Sequence, residues 1–253
     1  MRAVILSAGQ GKRLLPLTDD TPKSLLPLNN GQSLLGWQLS QLAQVGIDEA
    51  VVVSGFRADK LREEIRKYQS LIKVRELFNP FYKLADNLGS VWVARHLMTK
   101  DFILLNGDTM FDYRVADRLR LAEGYDVTLT ISRKDGYDDD DMKVSIGKNG
   151  ILQAVGKKLN PDSVNGESIG MMKFSGAGID WFKKIVQQKM ETEAGLKTWY
   201  LAVLNEMAQD GEIGTIEAGA DEWCEVDFPV DYKQALENID RWIKDQSENS
   251  DIP

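Results

Sequence analysis

The sequence is poor in the side chains on which several common classes of enzyme chemistry depend. Its 253 residues include one cysteine, Cys224, and one histidine, His96. A single cysteine excludes an intrachain disulfide and a cysteine-based zinc site. A single histidine argues against a histidine-rich metal centre and a Ser–His–Asp triad. Because His96 falls within a predicted helix, we interpret it as a bystander.

The sequence also lacks long apolar runs and an excess of positive charge. No apolar stretch approaches the roughly 20 residues that a membrane-spanning helix requires, and the short apolar run after Met1 does not match a signal peptide. The formal net charge of −8 argues against a nucleic-acid partner, because proteins that bind nucleic acids usually carry a basic face. We therefore expect a cytoplasmic protein with no membrane or nucleic-acid partner, and we interpret its acidity as favouring solubility.

Buried-strand patterns alternate with helical patterns through the first half of the chain. Strands are predicted at 3–6, 49–54, 72–77 and 102–105, and helices at 34–45, 58–68 and 87–98. This alternation predicts an α/β fold with a Rossmann-like, mostly parallel sheet flanked by helices. Ligands bind such sheets at the carboxyl ends of the strands.

The second half of the chain has a different pattern. Strands are predicted at 126–132, 142–146, 151–155, 168–174, 213–217 and 223–226, and helices at 178–192, 199–210 and 229–244. The turn between 146 and 151 predicts a β-hairpin. With no repeat or long linker, we predict a single domain over 1–245, with halves 1–125 and 126–245, and a frayed polar tail at 246–253.

The first buried strand runs into a glycine-rich loop that suits a polyphosphate. Gly9 and Gly11 follow the strand, Lys12 and Arg13 come next, and Lys23 lies ten residues further on. Glycine lets backbone N–H groups approach an anion closely, and basic side chains neutralise the remaining charge. The loop matches neither the P-loop pattern nor the three-glycine dinucleotide fingerprint. A structural turn with surface cations is the alternative interpretation.

Acidic residues follow strands at two distant places in the chain. Asp108 and Asp227 each come directly after a predicted strand, and carboxylates there suit Mg²⁺, which prefers oxygen ligands. A helix N-cap is the alternative for such an aspartate. The N-cap interpretation explains Asp231 better than a metal role does. For Asp112 the two interpretations are equally good. The acidic run 138–141 is interpreted as a solvated loop, because adjacent carboxylates repel one another.

The pattern A-G-x-G-x-R near the N-terminus, with T-P-K about eight residues beyond the arginine, resembles the signature of nucleotidyltransferases that activate sugar phosphates and related phosphomonoesters. The resemblance extends over nearly the whole chain and implies a nucleotide-diphospho-sugar transferase-like fold. Residues 1–125 would bind the nucleotide, and 126–245 would form a smaller β-hairpin and helical lobe for the acceptor. In that superfamily, aspartates at the positions of Asp108 and Asp227 hold the metal, here Mg²⁺.

One segment indicates which branch of that superfamily the chain resembles. Most sugar-1-phosphate members carry a Gly-rich segment before the helix that precedes the metal aspartate. Here that place contains Asn87 and Ser90 and is similar to the N-x-x-S-L-x-x-A pattern of the phosphocholine cytidylyltransferase-like branch. This implies CTP as nucleotide and a small phosphomonoester or phosphonate as acceptor. A sugar-1-phosphate or inositol-1-phosphate nucleotidyltransferase using CTP, UTP, GTP or dTTP remains open, as does a nucleotide-binding regulatory domain.

These arguments assign candidate residues to three roles. The predicted nucleotide-binding residues are Ser7, Ala8, Gly9, Gly11, Lys12, Arg13, Asn87, Ser90 and Gly107. The predicted catalytic residues are Arg13, Lys23 and Asp108. The predicted acceptor-binding residues are Lys143, Lys157, Glu167, Trp199, Tyr200 and Trp223.

The acceptor residues carry alternative interpretations. Lys143 and Lys157 suit an acceptor phosphate or a solvated surface. The aromatic rings at 199, 200 and 223 suit a quaternary ammonium through cation–π contacts, or they cover seams between helices and sheet. Glu167 can accept hydrogen bonds from a sugar or cyclitol. The sequence does not determine the oligomeric state, and a homo-oligomer is one of the alternatives.

Overall fold

A computed structural model describes the backbone of residues 1–250 and the side chains of residues 1–248. Its strands are β1 (Arg2–Ser7), β2 (Glu49–Ser54), β3 (Lys73–Phe78), β4 (Phe102–Asn106), β5 (Thr109–Phe111), β6 (Val127–Ser132), β7 (Lys143–Ile146), β8 (Leu152–Gly156), β9 (Gly166–Phe174), β10 (Gly214–Glu217) and β11 (Trp223–Glu225). Its α-helices are α1 (Leu34–Gln44), α2 (Ala58–Arg66), α3 (Asn87–Ala94), α4 (Tyr113–Leu121), α5 (Gly176–Met190), α6 (Leu201–Asp210) and α7 (Pro229–Ser250). Two 3₁₀ turns, Lys12–Leu14 and Lys23–Leu25, follow β1.

The main sheet has the strand order β10-β6-β9-β4-β1-β2-β3. Strands β1, β2, β3 and β4 are mutually parallel, β10 is parallel to β6, and β9 lies antiparallel between β4 and β6. The β7–β8 hairpin joins the sheet through β9. Strands β5 and β11 form a separate antiparallel pair. This architecture confirms the predicted α/β class with a mostly parallel sheet.

Helices cover both faces of the sheet, so its strands are apolar on both sides. Along β1, Ala3 and Ile5 pack with α1, α2 and α4, whereas Val4 packs on the opposite face with α3, α5 and α6. The alternation follows from the two-residue period of a strand. Burial on both faces fixes the register, and with it the positions of the loops at the strand ends.

The structure adds elements that the sequence patterns did not predict. Strand β5 is three residues long, which is too short for a periodicity signal. Helix α4 begins after Asp112, whose carboxylate accepts a hydrogen bond from the Arg114 N–H, so the N-cap interpretation holds for Asp112. Strand β9, which the sequence predicted as a strand at 168–174 without an orientation, lies antiparallel between β4 and β6. The second half therefore extends the main sheet.

The C-terminal helix corrects the predicted chain end. Helix α7 continues to Ser250, past the end at residue 244 that the sequence predicted, and 246–250 are helical where a frayed tail was expected. Gln246 Nε2 donates to Gln41 Oε1 and to Asp112 Oδ2, both at 3.1 Å, and these contacts tie the last turns to α1 and α4. The last three residues of the predicted tail, 251–253, lie outside the described residues.

No helix within residues 1–250 combines the length and apolar character needed to cross a membrane.

A small apolar cluster fastens α7 to the start of α1. Trp242 is 1% exposed and stacks on Trp37, with ring centroids 5.9 Å apart and an interplanar angle of 22°. Each indole N–H donates to a backbone carbonyl, Trp242 to Asp221 and Trp37 to Phe111, both at 2.8 Å. The cluster also contains Val226 and therefore fixes the segment that leads from β11 into α7.

We expect Trp242→Ala to reduce the free energy of unfolding by about 3–5 kcal/mol, because it empties a large buried site and removes the ring stack. Ile243→Ala is the matched control, because the Ile243 side chain is 39% exposed on the same helix. It should change stability by about 0.5 kcal/mol or less. Urea denaturation measures both. Equal losses for the two variants would contradict anchoring of α7 by Trp242.

Candidate active site

A cavity of about 320 Å³ opens at the carboxyl ends of β1 and β4. Gly9 and Gly11 follow β1, and Gly107 and Asp108 follow β4. Because β1 and β4 are parallel neighbours, their carboxyl ends meet at one edge of the sheet. The two segments singled out from the sequence therefore share one wall of the cavity.

The glycines of this wall allow close backbone approaches. Gly11 has a φ of 79°, and a Cβ there would lie 2.7 Å from the Lys23 Cβ. A Cβ on Gly107 would lie 2.5 Å from Ser7 Oγ. Thr18 Oγ1 donates to the Gly11 carbonyl at 2.7 Å and holds the loop in place. The glycine loop is therefore packed directly against the turn that carries Lys23.

The Lys23 ammonium lies between two carboxylates. Its Nζ is 2.5 Å from Asp108 Oδ2 and 2.6 Å from Asp227 Oδ1. Burial alone would lower the pKa of Lys23, but the charges of Asp108 and Asp227 outweigh it and raise the pKa above its ordinary value. Lys23 is therefore a permanent cation that joins the ends of β1, β4 and β11.

Three carboxylates meet beside this ammonium. Ligand oxygens of Asp108, Glu225 and Asp227 all lie within 4.8 Å of one another. Asp108 sits in the turn between β4 and β5, so the N-cap alternative does not apply to it. Its Oδ1 is buried and has no hydrogen-bond partner among the described residues. Burial, followed by the charges of its two neighbours, raises the pKa of Glu225. An oxygen-only cluster with an unused oxygen fits a hard divalent cation such as Mg²⁺.

Sequence reasoning did not select Glu225. Strand β11 pairs with β5, which sets Glu225 opposite Thr109, and the Val226 N–H donates to the Asp108 carbonyl at 3.1 Å. The sequence feature that could have identified Glu225 is the Glu-Val-Asp order of residues 225–227. The pairing of β11 with β5, which no local pattern predicts, turns the Glu225 carboxylate toward Asp108.

A second group of charges crosses the mouth of the cavity. Arg13 donates to Asp227 Oδ2 at 2.9 Å and to Asp140 Oδ1 at 3.3 Å. Lys157 also donates to Asp140 Oδ1, at 3.1 Å, and its Nζ lies 4.5 Å from the centre of the Trp199 ring. Asp140 therefore pairs with two cations of the site, whereas the sequence predicted that the acidic run 138–141 is simply a solvated loop.

The opposite wall carries a buried carboxyl group. Lys134 contacts Asp141 at 2.8 Å and Glu167 at 2.9 Å. Burial raises the pKa of Glu167 to about 7, although the Lys134 ammonium opposes the shift. Near neutral pH, Glu167 can therefore present either a donor or an acceptor to a molecule in the cavity.

Most of the sequence-predicted residues converge on this cavity. Those in its wall are Ser7, Gly9, Gly11, Lys23, Asn87, Gly107, Asp108, Lys157, Glu167, Trp199 and Asp227. Arg13 contacts Asp227 at the rim. Residues of the wall that sequence reasoning did not select include Ser24, Asn106, Asp140, Asp141, Met142, Ser168, Gly170 and Glu225.

The remaining predicted residues lie elsewhere in the part of the chain that the structure describes. Ala8, Lys12, Ser90, Lys143, Tyr200 and Trp223 are outside the cavity wall. The Ser90 hydroxyl accepts a hydrogen bond from Asn79 at 3.0 Å, away from the cavity. Lys143 donates to the backbone carbonyls of Asp138 and Lys157, a contact that holds the loop.

The two other predicted aromatic residues have structural contacts. Tyr200 is fully buried, and its hydroxyl donates to Asn106 Oδ1 at 3.0 Å. Its backbone N–H donates to Asn87 Oδ1 at 2.9 Å, which fixes the Asn87 amide at the cavity. Trp223 lines a neighbouring cavity of about 330 Å³, whose wall also includes Glu225 and Asp227. Tyr200 therefore supports the wall without lining it.

The sequence matches the model of a known protein family. The family model described as nucleotidyl transferase matches residues 2–140. CTP:phosphoglutamine cytidylyltransferase of Campylobacter jejuni is 26% identical across 94% of this chain and 100% of that protein. CMP-5'-(3-aminopropyl)phosphonate synthase of Streptomyces rubellomurinus is 37% identical over 122 residues, which are 48% of this chain and 19% of that protein.

A solved structure shares the fold. The inositol-1-phosphate CTP transferase from T. maritima superimposes with a TM-score of 0.77 at 21% identity, covering 94% of this chain and 95% of that one. At this identity the superposition supports the fold alone. The aspartates, the lysine and the glycine loop of the present chain are the features that bear on its chemistry.

We expect Asp108→Asn to weaken Mg²⁺ or Mn²⁺ binding at least about tenfold, because it removes charge from the three-carboxylate cluster. Calorimetry with Mg²⁺, or electron paramagnetic resonance with Mn²⁺, measures the change. Asp139→Asn is the control, because it removes one carboxylate from the nearby exposed acidic run. Equal affinities of the wild type and Asp108→Asn would contradict a cation site at Asp108.

Proposed function

The chain belongs to the nucleotidyl transferase family, and we propose that it transfers the cytidylyl group of CTP to a small phosphomonoester or phosphonate. The observation that carries this proposal is the Lys23 ammonium held between Asp108 and Asp227 beside the glycine loop. Preorganised positive charge next to a backbone anion site is what a reacting phosphoryl group requires.

The first half of the chain supplies the nucleotide side. The N–H groups around Gly9 and Gly11 and the Arg13 guanidinium would hold the β- and γ-phosphates. The Asn87 amide, fixed by the Tyr200 N–H, lies in the cavity wall where it can recognise the base. The position of Arg13 at the rim allows it to exchange Asp227 and Asp140 for phosphate oxygens.

The reaction needs no protein nucleophile. A phosphate or phosphonate oxygen of the acceptor attacks the α-phosphorus of CTP, a new P–O bond forms, and the bond to the β-phosphate oxygen breaks, releasing pyrophosphate. Lys23 neutralises negative charge that builds between the incoming phosphate and the α-phosphate. The residues of the cavity contribute alignment and charge stabilisation.

The carboxylates of Asp108 and Asp227, with Glu225 beside them, fit a bound Mg²⁺. When bound, Mg²⁺ supplies charge neutralisation for phosphate oxygens at this place. Lys23 donates to the same two aspartates, so it offsets part of their negative charge without the ion and can turn to phosphate oxygens when the ion binds.

The second half of the chain supplies the acceptor side. The Lys157 ammonium, positioned by Asp140 and the Trp199 ring, is placed for the acceptor phosphate. The contacted face of Trp199 carries this internal cation, so a quaternary ammonium there would compete with Lys157. The names of the Campylobacter and Streptomyces relatives support CTP and a small phosphorylated or phosphonate acceptor.

A second candidate is a nucleotidyltransferase for a sugar or cyclitol phosphate. Glu167 favours it, because a buried carboxyl group in the cavity wall can hydrogen-bond hydroxyl groups of the acceptor. A regulatory domain without activity is disfavoured, because Arg13, Lys23, Asp108 and Asp227 are all present and in contact.

We expect pyrophosphate release in the presence of Mg²⁺ to require CTP and a small acceptor. CTP, UTP, GTP, dTTP and ATP would each be combined with phosphocholine, aminoethylphosphonate, inositol 1-phosphate and several sugar 1-phosphates. CTP-selective turnover with an amine-bearing acceptor supports the proposal. Turnover only with another nucleotide and a sugar phosphate would replace it with the second candidate.

We expect Lys23→Ala to reduce kcat by about a hundredfold or more, since one preorganised charge contact contributes roughly 3 kcal/mol to transition-state stabilisation. Lys60→Ala is the control, because Lys60 forms a comparable ion pair with Asp20, 2.7 Å long, at the surface. It should retain wild-type kcat. Circular dichroism would establish that both variants are folded. Near-normal turnover by folded Lys23→Ala would contradict the role assigned to Lys23.

A further inference from the structure

Ser24 carries a buried hydroxyl group whose hydrogen-bonding capacity the protein does not use. Its side chain is 3% exposed, and its Oγ has no hydrogen-bond partner among the residues that the structure describes. Buried hydroxyls in folded proteins are nearly always paired, because an unpaired one loses its hydration without compensation. The residue forms part of the wall of the 320 Å³ cavity. Its missing partner is therefore to be sought in the cavity.

The surrounding turn does not need this hydroxyl. The Leu25 N–H donates to the Pro22 carbonyl at 2.8 Å, and the Leu26 N–H donates to the Lys23 carbonyl at 3.1 Å. A serine in a helical turn commonly hydrogen-bonds a carbonyl three or four residues earlier. Ser24 makes no such bond in the described structure. The backbone of the turn is complete by itself, and a structural role does not account for the hydroxyl.

The neighbours of Ser24 indicate which ligand it meets. Its turn packs against Gly11, where any Cβ would touch Lys23, and Gly9 lies in the same wall. Ser7, at the end of β1, has a second buried hydroxyl without a partner in the described residues. Two unused hydroxyls, loop amides and an ammonium thus gather on the nucleotide side of the cavity. Phosphate oxygens, which accept several hydrogen bonds each, match a set made of donors.

Building on the proposed function, we infer that the Ser24 hydroxyl donates a hydrogen bond to a phosphate oxygen of the bound nucleoside triphosphate. Ser24 is then a nucleotide-binding residue beside Lys23, held in place by the turn that both residues share. The bond is absent from the empty protein, so the Ser24 hydroxyl contributes to ligand affinity and does not stabilise the empty fold. A purely structural serine would show the opposite behaviour.

The experiment compares Ser24→Ala with Ser33→Ala. Ser33 is a matched control, because it is 6% exposed, caps α1 by accepting a hydrogen bond from the Gly36 N–H at 3.0 Å, and lies outside the cavity wall. Calorimetry with CTP and Mg²⁺, without acceptor, gives the affinities, and thermal unfolding of the empty proteins gives Tm. Ser24→Ala should bind CTP about tenfold more weakly with Tm unchanged or raised. Ser33→Ala should keep the affinity and lose about 2–4 °C in Tm.

Titrations with different ligands distinguish a failure of this inference from a failure of the proposed function. Pyrophosphate, titrated in the same way, should also lose affinity for Ser24→Ala, whereas cytidine should not. Wild-type affinity of Ser24→Ala for CTP would overturn the inference while leaving the proposed function intact. A loss confined to cytidine would overturn the assignment to phosphate. A wild-type protein that binds no nucleotide at all would overturn the proposed function, and the inference with it.

Discussion

The site depends on one partly buried cation. Lys23 meets Asp108 and Asp227, residues 85 and 204 positions away in the chain, and so joins the loop after β1 to the ends of β4 and β11. Without the ammonium, Asp108, Glu225 and Asp227 would be left as neighbouring acids with little compensation, which is unfavourable in a partly buried place. The contact therefore both stabilises the empty site and keeps a positive charge beside the glycine loop.

The scaffold explains how this contact is held in place. Gly11 packs onto Lys23 because it has no side chain, and the cluster around Trp37 and Trp242 fixes the segment leading to Asp227. The carboxyl ends of β1 and β4 are rigid because both faces of their sheet are covered by helices. Rigid strand ends joined by short loops suit a reaction that depends on alignment.

The mouth of the cavity is organised by ion pairs between residues of the protein. Asp140 engages both Arg13 and Lys157, and Trp199 carries Lys157 on its ring. Lys157 is thereby held at a defined place, and Asp140 occupies cations that a phosphate would also seek. Under the proposed function, an acceptor phosphate would exchange partners with this group, so its affinity would reflect a difference between two sets of ion pairs.

The sequence by itself determined the class of the fold and the chemistry of the main residues. The two-residue and helical periodicities identify the strands and helices of the first half, since burial imposes them locally. The glycine loop, Lys23 and the strand-end aspartates were visible because phosphate and cation binding demand particular side chains at strand ends. Strand β5 was too short to give a pattern, and the antiparallel orientation of β9 depends on pairing between distant segments.

Only the tertiary structure decided which of the candidate residues meet. It brought Glu225 to Asp108 through the pairing of β11 with β5, and it left the Ser24 hydroxyl unpaired in the cavity wall. It also turned Ser90 toward Asn79 and buried Tyr200 against Asn106. These outcomes follow from contacts between residues far apart in the chain. Local residue patterns report the period of an element and the chemistry of a side chain, but not the neighbour that the side chain will have.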